Sequence, residues 1–196
     1  MASGIPGPLR SVAAFREAVA QIPCRASVET WIRAWPTLDA EAGQGHAEVL
    51  EATLFDGVSE SGKAGFRCAW VLALLAERGA LRSPEAPSHL LDLLDEVEDP
   101  SRHREILRAL VHLSWTETQT AALLEWACNV VYIPDQPAAM YHMALRVMDK
   151  ATASPSLATS VQGAVGELHE ALYEVRTGDH PLHLKKKAAL LKARLS

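Results

Sequence analysis

The sequence has few cysteines, few aromatic residues and no long apolar run, and each shortage argues against a class of protein. Its 196 residues include three cysteines, and aromatic residues make up 6% of the chain. Three widely spaced cysteines argue against a disulfide framework and favour a reducing compartment. No run approaches the roughly 18 apolar residues of a membrane helix, and the first residues lack a signal-peptide pattern. We therefore expect a cytoplasmic protein that does not enter a membrane.

Strand signals are missing as well. No run of β-branched or aromatic residues alternates with polar ones, and no Asn-Gly or Asp-Gly hairpin lies between such runs. Apolar residues make up 48% of the chain and charged residues 22%, which suits a globular domain with a substantial core. The sequence therefore predicts an all-α protein.

A two-helix pattern recurs along the chain. Four segments align without gaps: residues 65–78, 101–114, 138–151 and, more weakly, 180–193. Each interval between them holds a second apolar, helix-like stretch, predicted at residues 88–97, 116–133 and 158–175. A repeat of about 37 residues is the period of stacked helical hairpins. A last helix is predicted over Leu182–Leu195.

Three further helices are predicted before the repeat. Residues 9–22 and 27–35 carry apolar side chains at helical spacing and each stretch ends at a proline. Trp31 and Trp35 are expected to cover the open end of the stack, or alternatively to form a dimer contact. Residues 46–55 predict a helix with Val49, Leu50 and Leu54 inward. Residues 56–65 read as a polar, glycine-rich connector.

Turn signals separate the predicted helices. Asp99 precedes Pro100 and is expected to stop one helix and cap the next, and Thr116 is a candidate cap for the helix after it. Residues 134–137, Pro-Asp-Gln-Pro, are expected to break the chain between helices. We therefore predict a single domain over residues 1–196, with a helical cap over 1–45 and about four hairpins over 46–196.

The repeated pattern resembles HEAT repeats and, more broadly, the armadillo-type α-solenoids. The resemblance rests on the period, the aliphatic stripe, the Asp99-Pro100 turn and the arginines at 67, 104 and 108, and it covers residues 46–196. The chain is also similar to small bacterial HEAT-like proteins. The resemblance implies a right-handed superhelical stack of antiparallel hairpins whose second helices line a binding surface. The chain departs from the HEAT pattern in its final interval, which is 42 residues long from 138 to 180, and in the turn at 134–137.

Charge is distributed unevenly. The net charge is -5, yet residues 180–196 contain five basic and no acidic side chains. Acidic residues concentrate instead on the predicted second helix at 88–97, where they suit a basic partner, or alternatively only solvate that face. We predict a non-catalytic scaffold that binds a protein partner, possible contact residues being Asp92, Asp95, Glu96 and Glu98, with Gln119 and Trp126 as further candidates.

No pattern predicts an active site, a metal site or a cofactor. His180 and His183 have metal-ligand spacing but lack a third ligand nearby, and residues 59–65 lack the pattern of a phosphate-binding loop. The HEAT-like resemblance implies one enzymatic alternative, a DNA glycosylase of the bacterial alkylpurine type, with Trp115 and Trp126 as its aromatic residues. The acidic balance argues against it, because nucleic-acid binding depends on cationic contacts to phosphates. The sequence leaves the oligomeric state open.

Overall fold

Helices account for every regular element of the computed structural model, which describes residues 6–132, 137–174 and 182–195. No described residue lies in a strand, and the prediction of an all-α protein is confirmed. None of the described helices has the length and apolarity to cross a bilayer. The α-helices are α1 (Val12–Ala20), α2 (Arg25–Ala34), α3 (Leu38–Ala42), α4 (His46–Val58), α5 (Lys63–Glu77), α6 (Ala86–Glu96), α7 (Pro100–Leu110), α8 (Glu117–Tyr132), α9 (Ala138–Ala151), α10 (Ala158–Glu174) and α11 (Leu182–Leu195).

The chain divides into two compact units. Unit 1 is Met1–Ser114 and unit 2 is Trp115–Ser196, so the boundary falls in the connection between α7 and α8. In unit 1, α4 packs on α5 and α6 packs on α7, while α5 also packs on α7 and α4 on α6. In unit 2, α8 packs on α9 and α10 on α11, while α8 also packs on α10 and α9 on α11. The organisation as one domain with a cap at 1–45 stays a prediction.

The helix pairing differs from the predicted one. The aligned segments of the sequence repeat correspond to α5, α7, α9 and α11, which are the second members of the packed pairs rather than the first. Loop length supplies the reason, since only residues 59–62 join α4 to α5 and residues 97–99 join α6 to α7. Short connections favour antiparallel neighbours, whereas the connection from α5 to α6 spans residues 78–85.

The most apolar predicted helices form the centres of the two units. Every side chain from residue 71 to residue 76 of α5 is buried, as the nearly continuous apolar pattern predicts. In α9 the predicted inward residues are all buried: Met140, Met143, Ala144, Val147 and Met148. The cores of both units therefore follow from sequence periodicity.

Helix α4 departs from its prediction in two ways. Leu50 and Leu54 are buried as expected, but the Val49 side chain is 51% exposed, so its predicted inward position is wrong. Val49 precedes Leu50 by one residue, which turns it about 100° away from the buried face. The predicted connector at 56–65 is also mostly helical, because α4 continues to Val58 and α5 begins at Lys63.

The first predicted helix is shorter than expected. A 3-10 turn occupies Gly7–Arg10, and α1 begins only at Val12, where Ser11 accepts a hydrogen bond from the backbone amide of Ala14 at 3.2 Å. The short helix α3 was not predicted at all.

Trp31 and Trp35 belong to the core of unit 1. Both indoles lie 5.8 Å from the Phe15 ring, measured between ring centroids, and Trp35 is completely buried. The alternative in which they form a dimer contact is therefore wrong, since a buried ring offers no surface to a second copy.

Both predicted helix caps are present. Asp99 Oδ1 accepts a hydrogen bond from the backbone amide of Arg102 at 2.8 Å, at the start of α7. At α8, Thr116 Oγ1 accepts from the Gln119 amide at 3.2 Å, and Gln119 Oε1 accepts from the Thr116 amide at 2.9 Å, which is a reciprocal capping box. The predicted break at 134–137 lies outside the described residues except for Pro137, as do Ile133, Val175 and His180.

The turn from α4 to α5 is clamped at close range. Arg102 Nη1, from α7, donates to the carbonyl oxygens of Val58 and Glu60 at 3.0 Å each and so satisfies carbonyls at the end of α4. Gly65, in the first turn of α5, is buried against the same two carbonyls. A side chain at position 65 would occupy the space that these carbonyls fill.

We expect Gly65→Ala to lower the free energy of unfolding by about 2 kcal/mol or more, because the new Cβ would overlap the Glu60 carbonyl and lie 2.8 Å from the Val58 carbonyl oxygen. Urea unfolding followed by circular dichroism measures the change. Gly163→Ala in α10 is the control: within the described structure nothing lies within 4 Å of a Cβ there, and alanine should stabilise by about 0.5–1 kcal/mol. Equal stability of Gly65→Ala and the wild type would contradict the clamp.

A groove between α4 and α6 as the candidate functional site

A groove of about 600 Å³ lies between α4 and α6 in unit 1. Its volume is in the range of small-molecule and side-chain binding pockets. The floor is apolar, with Phe55 from α4 and Leu93 from α6, and the exposed Ala52 of α4 also lines the groove. The His89 ring stands edge-on to the Phe55 ring, with 5.3 Å between centroids and an interplanar angle of 73°. The groove therefore offers apolar surface between two helices.

Four carboxylates surround this floor. Glu48 and Asp56 come from α4, Asp92 and Glu96 come from α6, and all four side chains are exposed. Among the residues that the structure describes, no lysine or arginine lines the groove. Within the part of the chain that the structure describes, none of the four forms an ion pair. The groove is therefore a site of concentrated negative charge.

This arrangement of acidic residues works against the stability of α6. Asp92 and Glu96 are four residues apart on one helix face, where like charges repel. Asp95 and Glu96 also lie in the last turn, where the partial negative charge of the helix terminus disfavours anions. Residues that lower the stability of their own helix are expected at functional surfaces. The acidic residues at the end of α6 are of this kind.

The structure separates the predicted contact residues into three groups. Asp92 and Glu96 line the groove, whereas Asp95 and Glu98 are exposed beside it without lining it. Gln119 and Trp126 lie in unit 2, where Gln119 uses its amide in the capping box of α8.

The sequence analysis missed the two groove carboxylates of α4. Glu48 and Asp56 are eight residues apart, so they fall on the same side of the helix as Ala52. The helical spacing of Glu48 and Asp56 could have placed them on one side of α4, but nothing in the sequence indicates that α4 and α6 face each other.

The predicted HEAT-type arginines engage other groups than the acidic cluster. Arg67 Nη1 donates to the Ala20 carbonyl, and Arg104 and Arg108 both bond the nearly buried carboxylate of Glu105. Arg108 also pairs with Glu77 of α5. The groove carboxylates are therefore not neutralised by these arginines.

A buried carboxylate, Glu51, fixes one end of the groove and was also missed. Glu51 Oε1 accepts hydrogen bonds from the Trp35 indole at 3.2 Å and from the Arg82 amide at 2.8 Å, and Oε2 accepts from the Ser83 amide at 2.9 Å. The side chain is completely buried. Burial raises the pKa of the Glu51 carboxyl, against the opposing effect of these hydrogen bonds.

The loop that contains Arg82 and Ser83 is also held by the Arg82 side chain. Arg82 Nη1 pairs with Asp39 Oδ2 at 3.2 Å, and Arg82 Nη2 donates to the Pro36 carbonyl at 2.7 Å. Asp39 Oδ1 in turn accepts from the Ala47 amide at 3.0 Å and satisfies a donor in the first turn of α4. Residues 82–83 are thus anchored to α4 and to the segment before it. Ser83, which lines the groove, is positioned by these contacts.

Unit 2 has a separate cavity of about 570 Å³. Lys150 Nζ lies 4.6 Å from the centroid of the Trp115 ring, and burial lowers the pKa of the Lys150 ammonium. Glu117, at the same cavity, accepts a hydrogen bond from the Ser156 hydroxyl. Trp115, an aromatic residue of the glycosylase alternative, thus has a cation over its ring.

Neither a metal centre nor a known relative defines the site. Among the described residues, no three or more histidine, cysteine, aspartate or glutamate side chains form a group able to hold a metal ion. His183 lies in α11, but its side chain is outside the described set. No protein-family model, curated protein or solved structure matches the chain.

The three cysteines differ in environment. Cys24 is exposed, and hydrogen bonds from Ser27, the backbone amide first, lower the pKa of its thiol. Burial raises the pKa of the Cys68 thiol to about 12. Cys128 is half-buried, and burial raises the pKa of its thiol as well.

We expect iodoacetamide at neutral pH to alkylate Cys24 in the native protein and to leave Cys68 unmodified, because the thiolate is the reactive form and Cys68 is neither exposed nor ionised. Mass spectrometry of proteolytic peptides reads out each site. In urea both cysteines should react at similar rates, which serves as the control. Labelling of Cys68 in the native protein at the rate of Cys24 would contradict its burial.

We expect Glu51→Gln to lower the free energy of unfolding by about 1–3 kcal/mol near pH 5, since glutamine cannot accept hydrogen bonds at both positions. The folded-state pKa of Glu51 is raised, so the folded protein binds the proton more tightly than the unfolded chain. Stability contributed by Glu51 is therefore greatest at low pH and falls as pH rises through the raised pKa. The advantage of wild type over Glu51→Gln should shrink accordingly.

Urea unfolding between pH 4 and 7 tests this dependence. Glu17→Gln, the same substitution at an exposed position of α1, is the matched control and should change the free energy of unfolding by about 0.5 kcal/mol or less. An advantage of the wild type that grows with pH would contradict the raised pKa of Glu51.

Proposed function

We propose that this protein is a non-catalytic binding module that holds a basic protein segment in the groove between α4 and α6. The observation that carries the proposal is an apolar floor surrounded by four carboxylates, with no lysine or arginine among the described residues that line the groove. A partner for such a groove needs apolar surface and positive charge together.

Lysine and arginine side chains meet both requirements. Their methylene stems pack on apolar surface while the charged heads extend to the rim. In this groove the stems would lie on Phe55 and Leu93, and the heads would reach the carboxylates of Asp92 and Glu96. Binding a cation would also relieve the repulsion between these two carboxylates on α6. The positive charge of the partner would thus offset the repulsion between Asp92 and Glu96 that is present in the unbound protein.

We further propose that the helices belong to a right-handed, HEAT-like stack of hairpins. Packing within each unit supports this, because helices two apart in the chain lie against each other, as α5 does with α7 and α9 with α11. Such stacks usually serve as protein-binding scaffolds, and this agrees with a groove formed between helices of neighbouring hairpins, α4 and α6.

A nucleic-acid partner is the less favoured candidate. Phosphates would meet the four groove carboxylates without a compensating cation, whereas nucleic-acid affinity comes from lysine and arginine contacts. The glycosylase-type alternative therefore has no support from this groove.

We expect an amphipathic lysine–leucine peptide to bind the wild type and Asp92→Lys/Glu96→Lys to weaken its affinity about tenfold or more. Reversing two charges removes two attractions and adds two repulsions, and about 1.4 kcal/mol corresponds to a factor of ten. Isothermal titration calorimetry at low and moderate salt measures the affinity, which should fall as salt increases.

Asp95→Lys/Glu98→Lys is the matched control, because it makes the same change in net charge at exposed positions beside the groove. It should retain most of the affinity of the wild type. If both double variants weakened peptide binding equally, net charge alone would explain the loss of affinity, and this would contradict a binding site in the groove. Binding of a DNA or RNA oligonucleotide by the wild type, with no peptide binding, would favour the nucleic-acid alternative.

A further inference from the structure

Helix α11 in unit 2 presents an apolar side chain among lysines. Leu190 is 72% exposed, and Lys186, one helical turn before it, is also exposed. The opposite side of the helix is buried through Ala188 and Leu191, where α11 packs on α9 and α10. The helix sequence contains five basic residues and no acidic one. Its outer face therefore carries an apolar group, Leu190, and a basic group, Lys186, one turn apart.

Exposed large apolar side chains are rare elsewhere in the described residues. Apart from Leu190, the other example is Val49 on α4. Val49 precedes Asp56 by seven residues, two helical turns, so both fall on the same side of α4. Val49 thus extends the apolar surface of the groove helix. Val49 does not line the groove itself, so the two exposed apolar side chains lie on the groove helix α4 and on the basic helix α11.

We propose that α11 of one copy of this protein docks into the α4–α6 groove of a second copy. The inference rests on the proposed function, since it identifies the basic segment that the groove holds. Charge complementarity carries it: four carboxylates line the groove, with no lysine or arginine among its described lining residues, whereas the α11 sequence contains five basic residues and no acidic one. Leu190 would contact the floor formed by Phe55 and Leu93, and Lys186 would pair with the α6 carboxylates.

Helix dimensions agree with this contact. At about 1.5 Å per residue, α11 is about 21 Å long and α6 is about 16 Å long, so one helix can lie along the other. Docking of an amphipathic helix into a groove is a common mode of recognition. The contact is head-to-tail, because the groove and α11 are different surfaces. Such contacts do not need to close, and association should therefore increase with protein concentration.

Sedimentation velocity of the 196-residue chain at low salt tests the proposal. The wild type should associate beyond the 21.3 kDa chain as concentration rises, and salt should reduce the association. The groove variant, Asp92→Lys/Glu96→Lys, and the helix variant, Lys186→Glu/Leu190→Glu, should each weaken self-association tenfold or more. The control variants, Asp95→Lys/Glu98→Lys and Lys63→Glu, should associate like the wild type.

Mixing the two defective variants gives the sharper test. The groove variant keeps an intact α11 and the helix variant keeps an intact groove, so an equimolar mixture should form a one-to-one complex and nothing larger. No complex in the mixture, or self-association that survives the groove variant, would overturn the proposal.

Failure of this inference is distinguishable from failure of the proposed function. A wild type that stays monomeric at every concentration, yet binds the lysine–leucine peptide in a manner lost with Asp92→Lys/Glu96→Lys, would overturn self-docking alone. A wild type that neither associates nor binds the peptide would overturn both.

Discussion

The buried carboxylate of Glu51 is the interaction on which the arrangement of unit 1 depends. A carboxylate removed from water is costly unless hydrogen bonds replace its hydration. Here the replacements come from one indole and two backbone amides that lie 16 to 32 residues away in the chain. Loss of any one of these contacts would leave the buried carboxylate with fewer hydrogen bonds to replace its hydration. The segment before α4 and the loop before α6 are thereby held to one point on α4.

The groove is a consequence of that constraint. The Ser83 amide donates a hydrogen bond to Glu51, and Ser83 also lines the groove. The loop before α6 is therefore attached to α4, which holds α6 beside it. At the other end of α4, Arg102 bonds the carbonyls of Val58 and Glu60 and ties α7 to the same helix. Polar contacts from the loop before α6 and from α7 thus anchor α4. Glu48 and Asp56 therefore lie on an anchored helix beside the α6 carboxylates.

The sequence was sufficient to predict features that depend on residues within one helix or next to it. The buried faces of α5 and α9 follow from periodicity, and the starts of α7 and α8 follow from Asp99 and Thr116, whose side chains bond amides three residues away. Helix pairing, Glu51 and the groove could not be predicted, because they depend on contacts between distant segments. Asp92 and Glu96 were recognised as acidic, but their relation to α4 exists only in the folded chain. A charged residue directly after Leu50 in an apolar helix was the one signal that pointed to Glu51.

Charge alone would make the groove a poor discriminator among basic partners. Exposed ion pairs are screened by salt and contribute about 0–1 kcal/mol each, so any lysine-rich segment gains a similar amount. Apolar burial adds about 25 cal/mol per Å², and a leucine at the right helical position buries more apolar area than the stem of a lysine does. The floor of Phe55 and Leu93 therefore supplies selectivity, and the four carboxylates supply attraction. A helix with an exposed leucine one turn from a lysine, as at Leu190 and Lys186, places a whole apolar side chain on the floor and also pairs its charge, whereas a polycation places only the methylene stems of its side chains there.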